Sequence, residues 1–175
     1  IHPGSEELGR VYEPTLAINA SPIAFLKAVA IRNPPTQPST IDRAHVSYLA
    51  WSGQSVNESD AMDLSQVIHY LRDMLPTEAI ISNGAGNYAS WIHRYFRYRS
   101  YQSQFAPISG SMGYGLPAAI AAKLRFPDRP VICFAGDGCL QMTIQELGTV
   151  RQFGVPVIVI VIDNGMYGTI RMHQE

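Results

Sequence analysis

Two uninterrupted apolar runs, residues 131–135 (Val-Ile-Cys-Phe-Ala) and 157–162 (Val-Ile-Val-Ile-Val-Ile), most constrain how this chain folds. Neither shows the polar alternation of a strand with one wet face, so each needs cover on both sides. A helix-length segment, 141–153, separates them, which makes the pair parallel. A shorter run of the same kind, 79–82, precedes them. Apolar residues at 64, 67, 68, 71, 74 and 75 follow one helix face over 61–75, and Pro76 stops that helix. Further helices are predicted over 87–98 and, with many alanines, over 112–124. The pattern predicts an α/β fold, a doubly wound parallel sheet.

Upstream, 15–19 reads as a short strand. Ser21 and Pro22 then supply the cap and first-turn proline of a helix over 23–30. Three prolines within 33–40 read as a surface crossing. The expected organisation is a first unit over 1–35, a linker over 36–60 and a main domain over 61–175. Three strands in that domain fall short of the roughly five or six of a typical sheet. With Ile1 at the start in place of an initiator Met, and a stop at Glu175, the chain is expected to be an excerpt: a truncated form, a proteolysis product or the ordered part of something longer.

Composition removes several function classes. The chain has 46% hydrophobic and 15% charged residues and a formal charge of −1. That balance suits a folded domain and lacks the cationic excess of a dedicated DNA binder. Charge is uneven: nine acidic residues face five basic ones before position 79, and five face eight after it, so the second part could host an anion. Cys133 and Cys139 cannot build a disulfide framework, which favours the cytoplasm. The run 155–162 is far shorter than the roughly 20 residues that cross a bilayer, so no membrane partner is expected.

Open parallel sheets bind ligands where loops follow the carboxyl ends of strands. Three loops qualify. The first holds Gly84, Gly86, Asn87 and Tyr88, with glycines spaced as in dinucleotide-binding turns. No Asp or Glu lies between Glu78 and Asp128 to take a ribose hydroxyl, and a plain tight turn explains the glycines equally well. The second, 108–115, concentrates Gly110, Gly113 and Gly115 around Met112. The third runs Gly136-Asp137-Gly138-Cys139, a carboxylate beside free backbone amides, suited to a divalent cation carrying phosphate oxygens; an ordinary helix cap is the other reading. After 25 residues, Asn164 stands at the end of the next strand beside Asp163, a second oxygen ligand for the same edge.

Gly136-Asp137-Gly138, 25 residues and Asn164 resemble the diphosphate and magnesium signature of thiamine diphosphate-dependent enzymes. Residues 110–122 resemble the pyrimidine-side loop of the acetolactate synthase, benzoylformate decarboxylase and pyruvate oxidase group. The resemblance implies Mg²⁺ held by the Asp137 and Asn164 side chains and the Met166 carbonyl, with Asp163 pointing away or exchanged as a ligand. It implies diphosphate contacts from the Gly138 and Cys139 amides and from Gly86, Asn87 and Tyr88. The Gly110 carbonyl and Met112 amide would bond the aminopyrimidine, and Met142 would prop the cofactor in its bent form, core packing being the other reading of Met142. In this light 1–35 resembles the tail of a central domain and 61–175 the first part of a C-terminal cofactor domain.

The implied function is decarboxylation or ligation of 2-keto acids, most like acetolactate synthase. A benzoylformate-type decarboxylase or a 2-keto acid oxidase is the alternative within that class. The implied activating glutamate belongs to a separate N-terminal domain, usually on a partner subunit, so no catalytic residue is assigned here and no turnover is expected of this chain alone. The parent enzyme is expected to be a homodimer or homotetramer, with FAD left open. A different class, a nucleotide- or RNA-binding module, would rest on the Gly84 turn and the basic, aromatic stretch 93–101.

Overall fold

Four parallel strands, β1 (Ile80–Asn83), β2 (Gln104–Phe105), β3 (Val131–Gly136) and β4 (Ile158–Ile162), stand in the order β2-β1-β3-β4. They belong to a computed structural model that describes residues 1–29, 38–54 and 62–175. Ile81 pairs with Ile132 and Ile132 with Ile158, which brings Gly136 level with Ile162. The chain therefore leaves β3 and β4 side by side, at Asp137 and Asp163.

The side chains of β1 and β3 alternate between two apolar layers. Ile81, Ile132 and Phe134 join Ile68, Tyr88, Ile92 and Tyr95 on one face. Ile80, Val131, Cys133 and Ala135 join Leu116, Ala119 and Ile120 on the other. This explains the apolar Ile80 and Ile81 of β1 and the apolar run 131–135 of β3, and each fully buried Ile or Phe contributes about 1.5–3 kcal/mol.

The helices run in chain order α1 (Pro22–Ala28), α2 (Pro38–Gly53), α3 (Leu64–Met74), α4 (Tyr88–Tyr95), α5 (Gly115–Arg125), α6 (Asp137–Gln141), α7 (Leu147–Phe153) and α8 (Gly168–Gln174). α3 starts where Asp63 Oδ1 accepts from the Ser65 amide at 2.9 Å, and it stops before Pro76 with Leu75 in extended conformation. The chain divides into two compact units, 1–45 and 46–175. In the first, Ser21 Oγ accepts from the Ala24 amide at 3.1 Å to cap α1, and none of its described residues is buried.

Several elements differ from expectation. The strand over 15–19 does not form: Asn19 makes a single parallel bridge to His2, and a strand needs a paired neighbour along its length. Residues 38–53 of the expected linker are helical, while 30–37 and 55–61 lie outside the described residues. The helix expected over 141–153 is broken into the end of α6, a 3₁₀ turn (Ile144–Glu146) and α7. Thr143 leaves helical geometry, at φ −138°, and its hydroxyl donates to the Gly113 carbonyl at 3.0 Å, a partner outside the helix. β2, two residues long, gave no readable pattern.

Burial pushes the Cys133 thiol up to about 12, with the nearby Cys139 second as a cause. The folded state therefore holds this proton more tightly than the unfolded chain, whose thiol titrates near 9. Its contribution is complete below pH 9 and is lost as pH rises toward about 12. Between pH 9 and 10 the unfolding free energy is expected to fall with a slope approaching about 1.4 kcal/mol per pH unit. Urea midpoints across that window check this, and the slope should flatten in Cys133→Ala.

Candidate functional site

The loops after β1, β3 and β4, with the glycine loop ahead of α5, converge on one cleft of about 210 Å³. The first loop lines it with Gly86, Asn87 and Tyr88, and the glycine loop with Gly110 and Met112. Gly136, Asp137, Gly138 and Cys139 come from the end of β3 and the start of α6. Asn164 and Met166 come from the turn after β4. Met142 does not line the cleft: it caps the end of α6, is 52% exposed, and lies beside Gly113.

The loops are tied to one another through Cys139. The Gly113 amide donates to Cys139 Sγ at 3.0 Å, and the Tyr88 hydroxyl approaches the same sulfur at 3.7 Å and the Phe134 carbonyl at 3.4 Å. Burial first, and the Cys139 thiol second, push the Tyr88 hydroxyl far above its ordinary range, so it keeps its proton and stays a donor. α5 begins pressed against the end of β1, where Ser82 Oγ donates to the Gly115 carbonyl at 2.8 Å. Gly113 itself sits at φ +80°, a conformation that favours glycine.

The oxygen groups at the cleft differ in how far the protein engages them. The Asp137 side chain is half-buried and its carboxylate makes no hydrogen bond or ion pair with any described residue. Asn164 Oδ1 accepts from the Met166 amide at 3.2 Å, which leaves room on that oxygen for a second partner. Asp163 turns into its own loop, its Oδ1 accepting from the Gly165 amide at 2.7 Å. No group of three or more His, Cys, Asp or Glu side chains that could hold a metal occurs among the described residues. A cation in this cleft would meet one carboxylate, one amide oxygen and backbone carbonyls, a hard oxygen set that suits magnesium.

Tyr167, Gly168, Thr169 and Ile170 also line the cleft and were not singled out from the sequence. Their position after the β4 turn was the available signal. Their return over the cleft depends on contacts distant in the chain. Thr169 Oγ1 donates to Asn87 Oδ1 at 2.6 Å.

The stretch 93–101 is engaged within the fold. Arg94 stacks over Trp51 and Tyr95 and donates to the Trp51 carbonyl at 3.0 Å. Arg97 donates to Ser52 Oγ at 3.3 Å, and Arg99 to the carbonyls of Arg72 and Leu75 at 3.1 and 3.3 Å. These guanidinium groups are used in packing, which weakens the nucleic-acid reading. No helix among the described residues is long and apolar enough to cross a membrane.

The family "Thiamine pyrophosphate enzyme, C-terminal TPP binding domain" matches residues 84–175. The acetolactate synthase large subunit of Parasynechococcus marenigrum (strain WH8102) is 37% identical over 110 residues, 63% of this chain and 18% of that protein. Sulfoacetaldehyde acetyltransferase of Alcaligenes xylosoxydans xylosoxydans is also 37% identical over 110 residues, 62% of this chain and 18% of that protein. Among solved structures, the thiamine diphosphate-dependent 4-hydroxybenzoylformate decarboxylase of Rhodococcus jostii RHA1 superposes with a TM-score of 0.63 at 32% identity. That match covers 69% of this chain and 23% of the decarboxylase. The chain thus spans less than a fifth of the length of these two curated relatives.

Proposed function

The chain belongs to the thiamine pyrophosphate enzymes through their C-terminal TPP-binding domain, and on that premise we propose that the protein it belongs to decarboxylates or ligates 2-keto acids with thiamine diphosphate and Mg²⁺. The reaction most resembles that of acetolactate synthase, the name carried by several relatives. A decarboxylase of the benzoylformate type is the second reading, favoured by the likeness to the 4-hydroxybenzoylformate enzyme.

The observation that carries the proposal is the meeting of Asp137 and Asn164 in one cleft, from the ends of adjacent strands. The residues present fit the cofactor. Asp137 offers a carboxylate with no partner among the described residues, and the first amides of α6 lack acceptors within the helix. In this reading Asp137, Asn164 and the Met166 carbonyl hold Mg²⁺, and the Gly138 and Cys139 amides bind the diphosphate. The Gly110 carbonyl and Met112 amide orient the pyrimidine, and Gly86, Asn87 and Tyr88 border the diphosphate. Gly136 brings the strand end close enough for these contacts. Met142 props the cofactor only by reaching in from beside Gly113. When bound, thiamine diphosphate supplies a carbon nucleophile and an electron sink for 2-keto acid chemistry.

Exposed apolar side chains such as Ile144, Leu147, Phe153 and Ile158 support a homodimer or homotetramer in the parent enzyme, because they leave surface for a partner to cover. Two buried free thiols, Cys133 and Cys139, suit a cytoplasmic setting. Thermal unfolding tests the cofactor reading. Thiamine diphosphate with Mg²⁺ is expected to raise the melting temperature, with no rise from either component alone at the same concentration, nor from nucleotides or RNA. Stabilisation by nucleotide or RNA in place of the cofactor would overturn it.

A further inference from the structure

The tract after β4 crosses the cleft and is anchored at its far side. It turns at Gly165, at φ +63°, where the Asp163 and Asn164 side chains accept the Gly165 and Met166 amides. The Tyr167 ring then lies over the start of α6: a Cβ on Gly138 would stand 2.7 Å from its Cε1. Gly168 follows between two amide side chains, since a Cβ there would be 3.1 Å from Asn164 Nδ2 and 3.2 Å from Asn87 Nδ2. Thr169 comes next, and its hydroxyl reaches Asn87 Oδ1, 82 positions away in sequence, at 2.6 Å. Among the described residues, the other side-chain bonds of α8 stay inside the segment, from Arg171 to Glu175 and to Met166 Sδ.

We propose that Thr169 is a positioning residue, pinning the tract 164–170 across the cleft through Asn87. It acts through Asn87 and through the backbone of its own tract. The pin holds Asn164 and the Met166 carbonyl near the opening of α6 before any ligand arrives. Without it the tract keeps its own turn and the packing of Tyr167 and Gly168, and binding must order the rest at a cost in affinity. The proposal rests on the thiamine diphosphate and Mg²⁺ reading of the cleft.

The test uses the full chain with Thr169→Val, which keeps the shape and removes the donor, and Thr169→Ser, which keeps the donor. Hydrogen exchange of the 170–173 amides, measured without ligand, is expected to accelerate in Thr169→Val by about threefold to tenfold, the scale of one net hydrogen bond. The dissociation constant for thiamine diphosphate in saturating Mg²⁺, measured by calorimetry, should weaken by about the same factor. Thr169→Ser should restore both values. Thr169→Val added to Asn87→Ala should cause no further acceleration of exchange, because the two residues form one bond. Unchanged exchange, unchanged affinity or failed rescue by serine overturns the role of Thr169 while leaving the cofactor reading intact. Failure of the unaltered protein to bind thiamine diphosphate with Mg²⁺ overturns the cofactor reading, and this role with it.

Discussion

Asp137→Ala is expected to abolish the thermal response to thiamine diphosphate and Mg²⁺. At a ligand concentration 100 times its dissociation constant, the unaltered protein gains about 2.7 kcal/mol, a rise of about 5–10 °C for a chain of this size. Among the described residues, Asp137 is the one acidic side chain that lines the cleft. Removing it leaves a divalent cation with neutral oxygens only, so affinity for the Mg²⁺-loaded cofactor should fall by about 100-fold or more. The same carboxylate makes no bond to a described residue, so the unliganded variant should melt within about 0.5 kcal/mol of the original. This separation of effects distinguishes a ligand from a helix cap, whose loss would lower the unliganded stability. An undiminished Mg²⁺-dependent shift in Asp137→Ala would remove the cation from this residue.

Gly115→Ala is expected to destabilise the fold by about 3 kcal/mol, the upper end for an overpacked site, and to lower the melting temperature by about 6–12 °C. A Cβ on Gly115 would lie 2.9 Å from the Gly84 nitrogen, 3.1 Å from the Asn83 carbonyl carbon and 3.2 Å from Cys133 Sγ. Two of these neighbours are backbone and cannot rotate aside, so α5 must back away from β1. That movement would carry the Gly110 and Met112 loop with it, and cofactor affinity should fall in step. Gly148 is the control: it lies in α7 with nothing within 4 Å of its Cβ position, and Gly148→Ala should stabilise by about 0.5 kcal/mol. Equal and small effects at both glycines, read from urea midpoints, would mean that α5 does not seat on β1 as described.

Much of the sheet was legible because burial on two faces leaves a strong mark. Residues 79–82 are offset by one from the observed β1, and 131–135 and 157–162 differ from β3 and β4 by one residue at one end; β4, unlike β1 and β3, is exposed or half-buried at every position. β2 was invisible because two residues cannot show a period, and its pairing with Ile81 and Ser82 comes from the neighbouring strand. The broken helix after Gln141 was hidden for another reason. Residues 141–153 have acceptable helical spacing, and the break is set by the bond from Thr143 to Gly113, 30 positions away. The short strand over 15–19 failed in the opposite sense: its composition suits a strand, but among the described residues only His2 pairs with it, at Asn19.

The cleft shows the same division. Glycines, an Asp and an Asn at strand ends are local signals, because each loop's chemistry follows from the residues beside it. A parallel sheet and a cation-suited carboxylate at Asp137 could be inferred from such neighbours; the strand order, with β2 at its edge, could not. Which loops share a wall could not, since it depends on the register that sets Gly136 level with Ile162 and on packing that seats α5 against β1. Nothing near Asn87 announces Thr169, and nothing near Cys139 announces Tyr88. Those pairs form because the sheet's register and the two apolar layers bring distant backbone together, and only then do short-range hydrogen bonds select their partners.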